Sequence, residues 1–439
     1  MTALILQLSK LFISVLSALF AFFCFYGTLR HKSKEARRFL YGYQLGVIYL
    51  VLSLAFLTML YVKGDFAILL LYFGALLIVT GIQLVFRRVY RSASILLTNA
   101  MCYLLSIGFI IQTRLNYEKA LKMLVYAAVS LALTAFFPLL LNSRKKQLRR
   151  RKWTYFIVGI ALLLAVLLFG GTSYGARISI SLPGVSVQPA EFVKLLYVFF
   201  LAAMYHESKS KKQVLITMGC AAATVLLLVG ARDLGGGLIF FVIYVVMTWC
   251  ALKKWYVPVA GLLLVALAFP LAGRVFSHVH TRIQAWWDPL SVIDDAGYQV
   301  SQSLFSIGTG SWFGTGIFQG RPELIPVVEK DFVFSAIAEE LGVLLCISLI
   351  LICLCCVLLF FNMAFEMKDE FYRLVSLGLG TAYATQVFLT IGGCIKLIPS
   401  TGVTLPLVSY GGSSLLATFM SFGILQGLYV YNKGKGEFR

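Results

Sequence analysis

Long apolar runs alternate along this chain with short polar stretches rich in lysine, arginine, glycine and proline. The runs fall near 4–27, 42–61, 66–86, 95–112, 120–141, 154–170, 191–205, 214–230, 233–252, 255–273, 333–361, 371–394 and 408–431. Most have the length, about 17–25 residues, that a helix needs to cross a bilayer core. Their apolar residues are consecutive, without the period-two alternation of a barrel strand. Backbone groups in hydrocarbon must be satisfied within their own segment, so each run predicts a helix. The expected fold class is an all-α polytopic membrane protein. The first run is too long for a signal peptide, and no small-residue cleavage site follows it. The one long polar interval is 274–332.

Composition agrees with this pattern. Hydrophobic residues fill 60% of 439 positions, against roughly 45–50% apolar content in soluble domains. The net charge of +20 would suit nucleic-acid binding, but its placement points elsewhere. With the loop holding Arg30, Lys32, Lys34, Arg37 and Arg38 in the cytoplasm, alternate loops carry about 25 of the 38 lysines and arginines. That is the positive-inside distribution. The basic run Arg144–Lys152 is therefore a topology anchor, and no nucleic-acid partner is expected. The same alternation puts the N-terminus outside, the Lys433–Arg439 tail inside and 274–332 outside. Chemistry is then expected in the outer loops and the helix ends beneath them.

Charged residues inside a membrane are costly and usually mark a site. Here they gather toward the outer half. Glu191 and Lys194 stand three apart on one helical face, in reach of each other. Asp233 precedes Gly235, Gly236 and Gly237; Glu339 and Glu340 follow Asp331; Lys396 lies near the outer end of another span. The outer segment carries Gln299 and Gln302, then glycines at 308, 310, 314, 316 and 320. No strand precedes these glycines and no Walker lysine follows, which excludes a dinucleotide fold and a P-loop. Two readings stay open for them: a flexible re-entrant connection, or backbone amides forming a nest for a pyrophosphate. The nine cysteines show no metal-ligand spacing, and His278 and His280 have no Cys/His cluster beside them. No metal ligand is assigned.

Four segments resemble the SEDS family (shape, elongation, division and sporulation), typified by FtsW and RodA. They are VQPAEFVKL at 187–195, GYQVSQSLFSIGTGSWFGTGIFQG at 297–320, DFVFSAIAEELG at 331–342 and PSTGVTLPLVSYGGSS at 399–414. The resemblance covers roughly 95–435 and implies a ten-span core over 95–439, with the large outer loop 274–332. Residues 1–94, about three spans, have no counterpart in that core. The family's Gly-Ala-basic-Arg-Trp run appears only as Gly175–Ile178, without the tryptophan, and its Gln-Pro-Asp-Leu-Gly as Ala231–Gly235.

The resemblance implies a peptidoglycan glycosyltransferase of cell elongation, division or sporulation, located in the bacterial cytoplasmic membrane. It would polymerise lipid II, release undecaprenyl pyrophosphate and work with a class B penicillin-binding protein. Such chemistry needs a base near the acceptor hydroxyl and positive charge near the leaving phosphate. Asp331 matches the family's catalytic aspartate and is the expected general base; Glu323 matches a second family acid and is the reserve catalytic candidate; an N-cap is the structural alternative for Asp331. Arg177, Lys194 and Lys396 are expected to hold pyrophosphate, with Lys194 oriented by Glu191. Asp233, Gln299, Gln302, Ser409 and Tyr410 complete the expected substrate-binding set. No cofactor is assigned, although a divalent cation, Mg2+ or Mn2+, is compatible with a phosphate leaving group. A lipid II flippase and a non-catalytic scaffold for a transpeptidase are the alternatives. A flippase needs a charged path through the whole bilayer, whereas these charges favour the outer half.

Overall fold

The computed structural model describes residues 2–29, 34–90, 93–143, 145–173, 176–182 and 185–433. Arg30, Lys32 and the tail beyond Lys433, used in the charge pattern above, lie outside them. The helices in chain order are α1 (Thr2–Leu29), α2 (Lys34–Lys63), α3 (Ala67–Arg88), α4 (Ile95–Leu115), α5 (Tyr117–Ser143), α6 (Lys145–Arg150), α7 (Lys152–Phe169) and α8 (Pro189–Glu207). After them come α9 (Lys211–Gly230), α10 (Leu234–Leu252), α11 (Tyr256–Val275), α12 (Ser277–Trp287), α13 (Tyr298–Gly310), α14 (Val333–Glu366), α15 (Glu370–Cys394) and α16 (Gly412–Lys433). Among the described residues, 12 helices are long and apolar enough to cross a membrane. This is a multi-span, membrane-embedded protein. The expected span at 191–205 is α8, whose Glu191 and Lys194 lie along a largely buried helix.

One element outside the crossing helices is not helical. Strands β1 (Gly171–Ser173), β2 (Ala176–Leu182) and β3 (Val185–Val187) form an antiparallel sheet in that order. Its signal is in the sequence: Ala176, Ile178, Ile180 and Leu182 alternate with Arg177, Ser179 and Ser181, a period of two. Ile180 pairs with Val187 and Ser181 with Ser186.

The chain divides into two compact units. The first comprises 1–132, 284–359 and 387–411. Its centre is α4, buried at every position from Leu96 to Thr113 and wrapped by α1, α2 and α3. Lipid gives helices little hydrophobic reason to associate, so packing and buried hydrogen bonds must hold them. Here Gln83 donates to Asn99 at 2.9 Å, and Asn99 donates to Gln44 at 3.0 Å. Phe20 stacks on Tyr103 with ring centroids 4.3 Å apart. Interhelical hydrogen bonds of this kind contribute about 1 kcal/mol each. The three N-terminal helices are thus locked onto α4 by specific polar contacts.

The second unit comprises 133–283, 360–386 and 412–439. Its centre is α8, which packs against α7, α10 and α16. By contrast α11 buries little beyond Gly261 and Gly273, and its Leu262, Leu263 and Leu267 are exposed. It is a lipid-facing helix.

Candidate active site

The expected span at 333–361 is not continuous. Within α14, Gly342 has φ 86° and ψ 166°, which breaks the helix. An unbroken helix would bond the amides of 343 and 344 to the carbonyls of 339 and 340. The segment 311–316 takes both pairs instead. Thr315 and Gly316 amides donate to the Glu339 and Glu340 carbonyls at 2.8 and 3.0 Å. Val343 and Leu344 amides donate to the Ser311 and Trp312 carbonyls at 2.9 and 3.1 Å. The four backbone groups named here all find partners, as burial requires. The glycine-rich stretch is therefore a brace for a broken helix. The anion-nest reading fails for Thr315 and Gly316, because their amides are committed to protein carbonyls.

Asp331 stands two residues before Val333, the first helical residue of the short half of α14, and is partly buried. Three other segments grip the backbone around it. Gln112 Nε2 of α4 donates to the Glu329 carbonyl at 3.0 Å. The Tyr410 amide donates to that same carbonyl at 2.8 Å. The Ser409 hydroxyl donates to the Lys330 carbonyl at 2.5 Å and accepts from the Leu405 amide at 2.9 Å. The Cys394 thiol donates to the carbonyl of Asp331 itself at 3.1 Å. Ser409 is buried, so it and Tyr410, expected to bind substrate, act here through the backbone that carries the aspartate. Gln299 similarly donates to the Pro326 carbonyl at 2.7 Å. Gln302, on the same helix, is partly buried.

The acids nearby are engaged by cations. Arg114, in the last turn of α4, donates to Glu340 at 2.7 Å and lies 3.4 Å from Glu323. Glu323 is 62% exposed. Lys119 pairs with Glu329. Among the described residues, no group of three or more His, Cys, Asp or Glu side chains is placed to hold a metal ion. Glu323, Glu340 and Glu329 are paired with Arg114 and Lys119 rather than gathered around a divalent cation.

Lys396, in the same unit as Asp331, lies two residues past the end of α15. Leu397 donates to the Gly392 carbonyl at 2.8 Å, the closing bond of a Schellman end. Lys396 occupies the left-handed position of that end, φ 59°, where glycine is usual and a side chain costs roughly 1–2 kcal/mol. Strain of this kind is a mark of functional positions. Its carbonyl accepts from Trp286 Nε1 at 3.1 Å.

In the second unit the expected pair forms. Lys194 Nζ donates to Glu191 and to Gln386, both at 2.8 Å, and Gln386 donates to Ser414 at 3.1 Å. The ammonium is 8% exposed. Asp233 caps α10, accepting from the Gly236 amide at 2.8 Å. Burial pushes its carboxyl above the ordinary carboxylate range, and the Glu191 charge adds to that. Arg177 lies on β2; its side chain is outside the described residues. Sequence reasoning missed Gln112, Arg114, Lys119, Glu329, Gln386 and Cys394. The available signal was a glutamine inside an apolar run and basic residues at helix ends.

Residues 95–434 match the family of FtsW, RodA and SpoVE, described as cell cycle proteins. The peptidoglycan glycosyltransferase RodA of Mycobacterium tuberculosis is 37% identical over 267 residues, 57% of this chain and 57% of that protein. The chain thus spans little more than half the length of that relative. A Bacillus subtilis protein named "Probable peptidoglycan glycosyltransferase FtsW" is 31% identical over 303 residues, 64% of this chain and 75% of that protein. A chain from a structure on coordination of polymerization and crosslinking by a peptidoglycan synthase complex superposes with TM-score 0.65 at 25% identity, covering 77% of this chain and 98% of that one. Thermus thermophilus RodA, at 24% identity and TM-score 0.57 over 78% of this chain and 98% of its own, shares the fold.

Proposed function

The chain belongs to the FtsW, RodA and SpoVE family, and from that premise we propose that it is a peptidoglycan glycosyltransferase polymerising lipid II at the outer face of the bacterial cytoplasmic membrane. Asp331 is the general base. It takes the proton from the acceptor sugar's 4-hydroxyl as that oxygen bonds to the donor's anomeric carbon. The bond from that carbon to undecaprenyl pyrophosphate breaks in the same step. Cations meet the charge developing on the leaving phosphate. Lys396 serves this role in the Asp331 unit, two residues past the Cys394 that holds the Asp331 carbonyl. Lys194 and Arg177 are the other cations that the family resemblance implies for this role. Glu323, exposed and paired with Arg114, binds and orients rather than takes the proton.

One observation carries the proposal: the backbone at 329–331 is gripped by Gln112, Cys394, Ser409 and Tyr410. A carboxylate on so fixed a frame is pre-positioned for its task. A surface cap would need no such support.

The ion pairs support the proposed orientation. Arg149–Asp369, Lys152–Glu207 and Lys209–Glu370 join loops expected inside. Arg114–Glu323 and Lys119–Glu329 join segments expected outside. The proposed partner is a class B penicillin-binding protein, a reading favoured by the likeness to a chain of a peptidoglycan synthase complex. The test is glycan polymer formation by the purified chain on lipid II, with and without that transpeptidase. Polymer supports the enzyme, and its absence under both conditions returns the chain to a flippase or scaffold.

A further inference from the structure

The N-terminal helices lie outside the segment that matches the family, yet they touch the brace of the broken helix. Lys10 is the one charged residue of α1. Within a crossing helix a lysine is costly and calls for a partner. Its Nζ donates to the Gly314 carbonyl at 2.8 Å, across 304 residues of chain. One turn along α1, the Ser14 hydroxyl donates to the Leu341 carbonyl at 2.9 Å. Leu341 is the residue before the break at Gly342. At the end of α2, Lys63 Nζ sits 4.8 Å from the centroid of the Phe318 ring, with the Arg114 guanidinium 4.7 Å from that same ring. Phe318 is itself left-handed, φ 65°.

We propose that α1, through Lys10 and Ser14, clamps the interlocked segments 311–316 and 339–344 and so sets the position of the half-helix that follows Asp331. Lys10 is a positioning residue, acting through the Gly314 carbonyl and touching no substrate. The kinetic part of the proposal rests on the polymerase function above; the clamp itself does not. Without the clamp the two segments remain bonded to each other, but they open more often and Asp331 spends less time in its productive place. The cost falls on turnover rather than on substrate binding.

The test uses the full chain in nanodiscs and compares Lys10→Met, Lys10→Arg, Ser14→Ala and Leu8→Ala with the parent. Leu8 is 43% exposed on the same helix and serves as the control. Hydrogen–deuterium exchange is followed over 311–316 and 339–344, beside kcat and KM on lipid II. For Lys10→Met, exchange in these two segments is expected to rise about tenfold, the effect of losing one charge-assisted hydrogen bond on a local opening equilibrium. Its kcat should fall, with KM within about twofold, because the lost contact acts on the placement of Asp331 and touches no substrate. Lys10→Arg should recover most of both, Ser14→Ala should show a smaller change in the same segments, and Leu8→Ala should match the parent. If Lys10→Met loosens every helix, Ser14→Ala, which deletes only the hydroxyl on the Leu341 carbonyl, decides the matter. Parent-like exchange in both Lys10→Met and Ser14→Ala overturns the clamp, whatever happens to kcat. A parent chain that makes no polymer overturns the polymerase function instead, and exchange alone then judges the clamp.

Discussion

Gly314 and Gly342 approach so closely that a methyl group on Gly342 would lie 2.4 Å from the Gly314 amide nitrogen. Both have positive φ, 78° and 86°. The mutual fit of loop and broken helix depends on the absence of two side chains. Gly342→Ala should therefore be damaging twice over. Its backbone region costs a side chain about 1–3 kcal/mol, and the overlap adds to that. The expected result is a lower thermal midpoint together with lost polymerisation. A Gly342→Ala protein with parent stability would show that the break is not held as described.

Lys194 donates to two acceptors, the buried Gln386 and Glu191, whose side chain is 12% exposed. Removing it leaves a largely buried carboxylate without its cation, and breaking such a pair typically costs about 3–5 kcal/mol when fully buried. Lys194→Ala should accordingly lose stability as well as activity. The double variant Glu191→Gln/Lys194→Met removes both charges and should regain most of the stability. If Lys194 serves the leaving pyrophosphate, that double variant stays inactive. Activity restored along with stability would reduce the pair to a structural role.

Lys396→Gly separates strain from function. Glycine relieves the left-handed backbone and should raise stability by about 0.5–1 kcal/mol, less the flexibility it adds to the unfolded chain. Activity should fall, because the cation is gone. A variant that is both more stable and fully active would remove Lys396 from the site.

Much of this architecture was readable from pattern and charge alone, and the reasons are physical. Bilayer thickness sets helix length, so the crossing helices declared themselves. Helical spacing alone puts Glu191 and Lys194 on one face, where they pair. The break at Gly342 was hidden, because a lone glycine does not end a helix. Its partner segment lies 26–31 residues away in sequence, beyond the reach of periodicity. Cys394 looked like a small hydrophobe and Ser409 like a substrate ligand. Their role on the Asp331 frame depends on three distant segments meeting, which no local pattern encodes. The strand β2 was different: its alternation was visible and was passed over between two apolar runs.

Topology can be read by labelling. Glu35→Cys, in the basic loop expected inside, should resist a membrane-impermeant thiol reagent in intact cells, whereas Thr309→Cys should react. Both positions are exposed. Cys220 and Cys250 are the native cysteines not buried among the described residues, and the parent chain sets their background. The opposite labelling pattern would invert the protein and put the Asp331 site in the cytoplasm.

The most direct measurement is polymerisation of lipid II by purified Asp331→Asn beside Glu323→Gln and the parent. Asparagine keeps the size of aspartate and caps a helix almost as well, so folding should be preserved. It cannot accept the proton, and loss of a general base lowers the rate by about 10²–10⁴. The expected result is a folded Asp331→Asn protein without polymer and a Glu323→Gln protein that retains part of its activity. A folded Asp331→Asn protein that still makes long glycan from lipid II contradicts the assignment of the base.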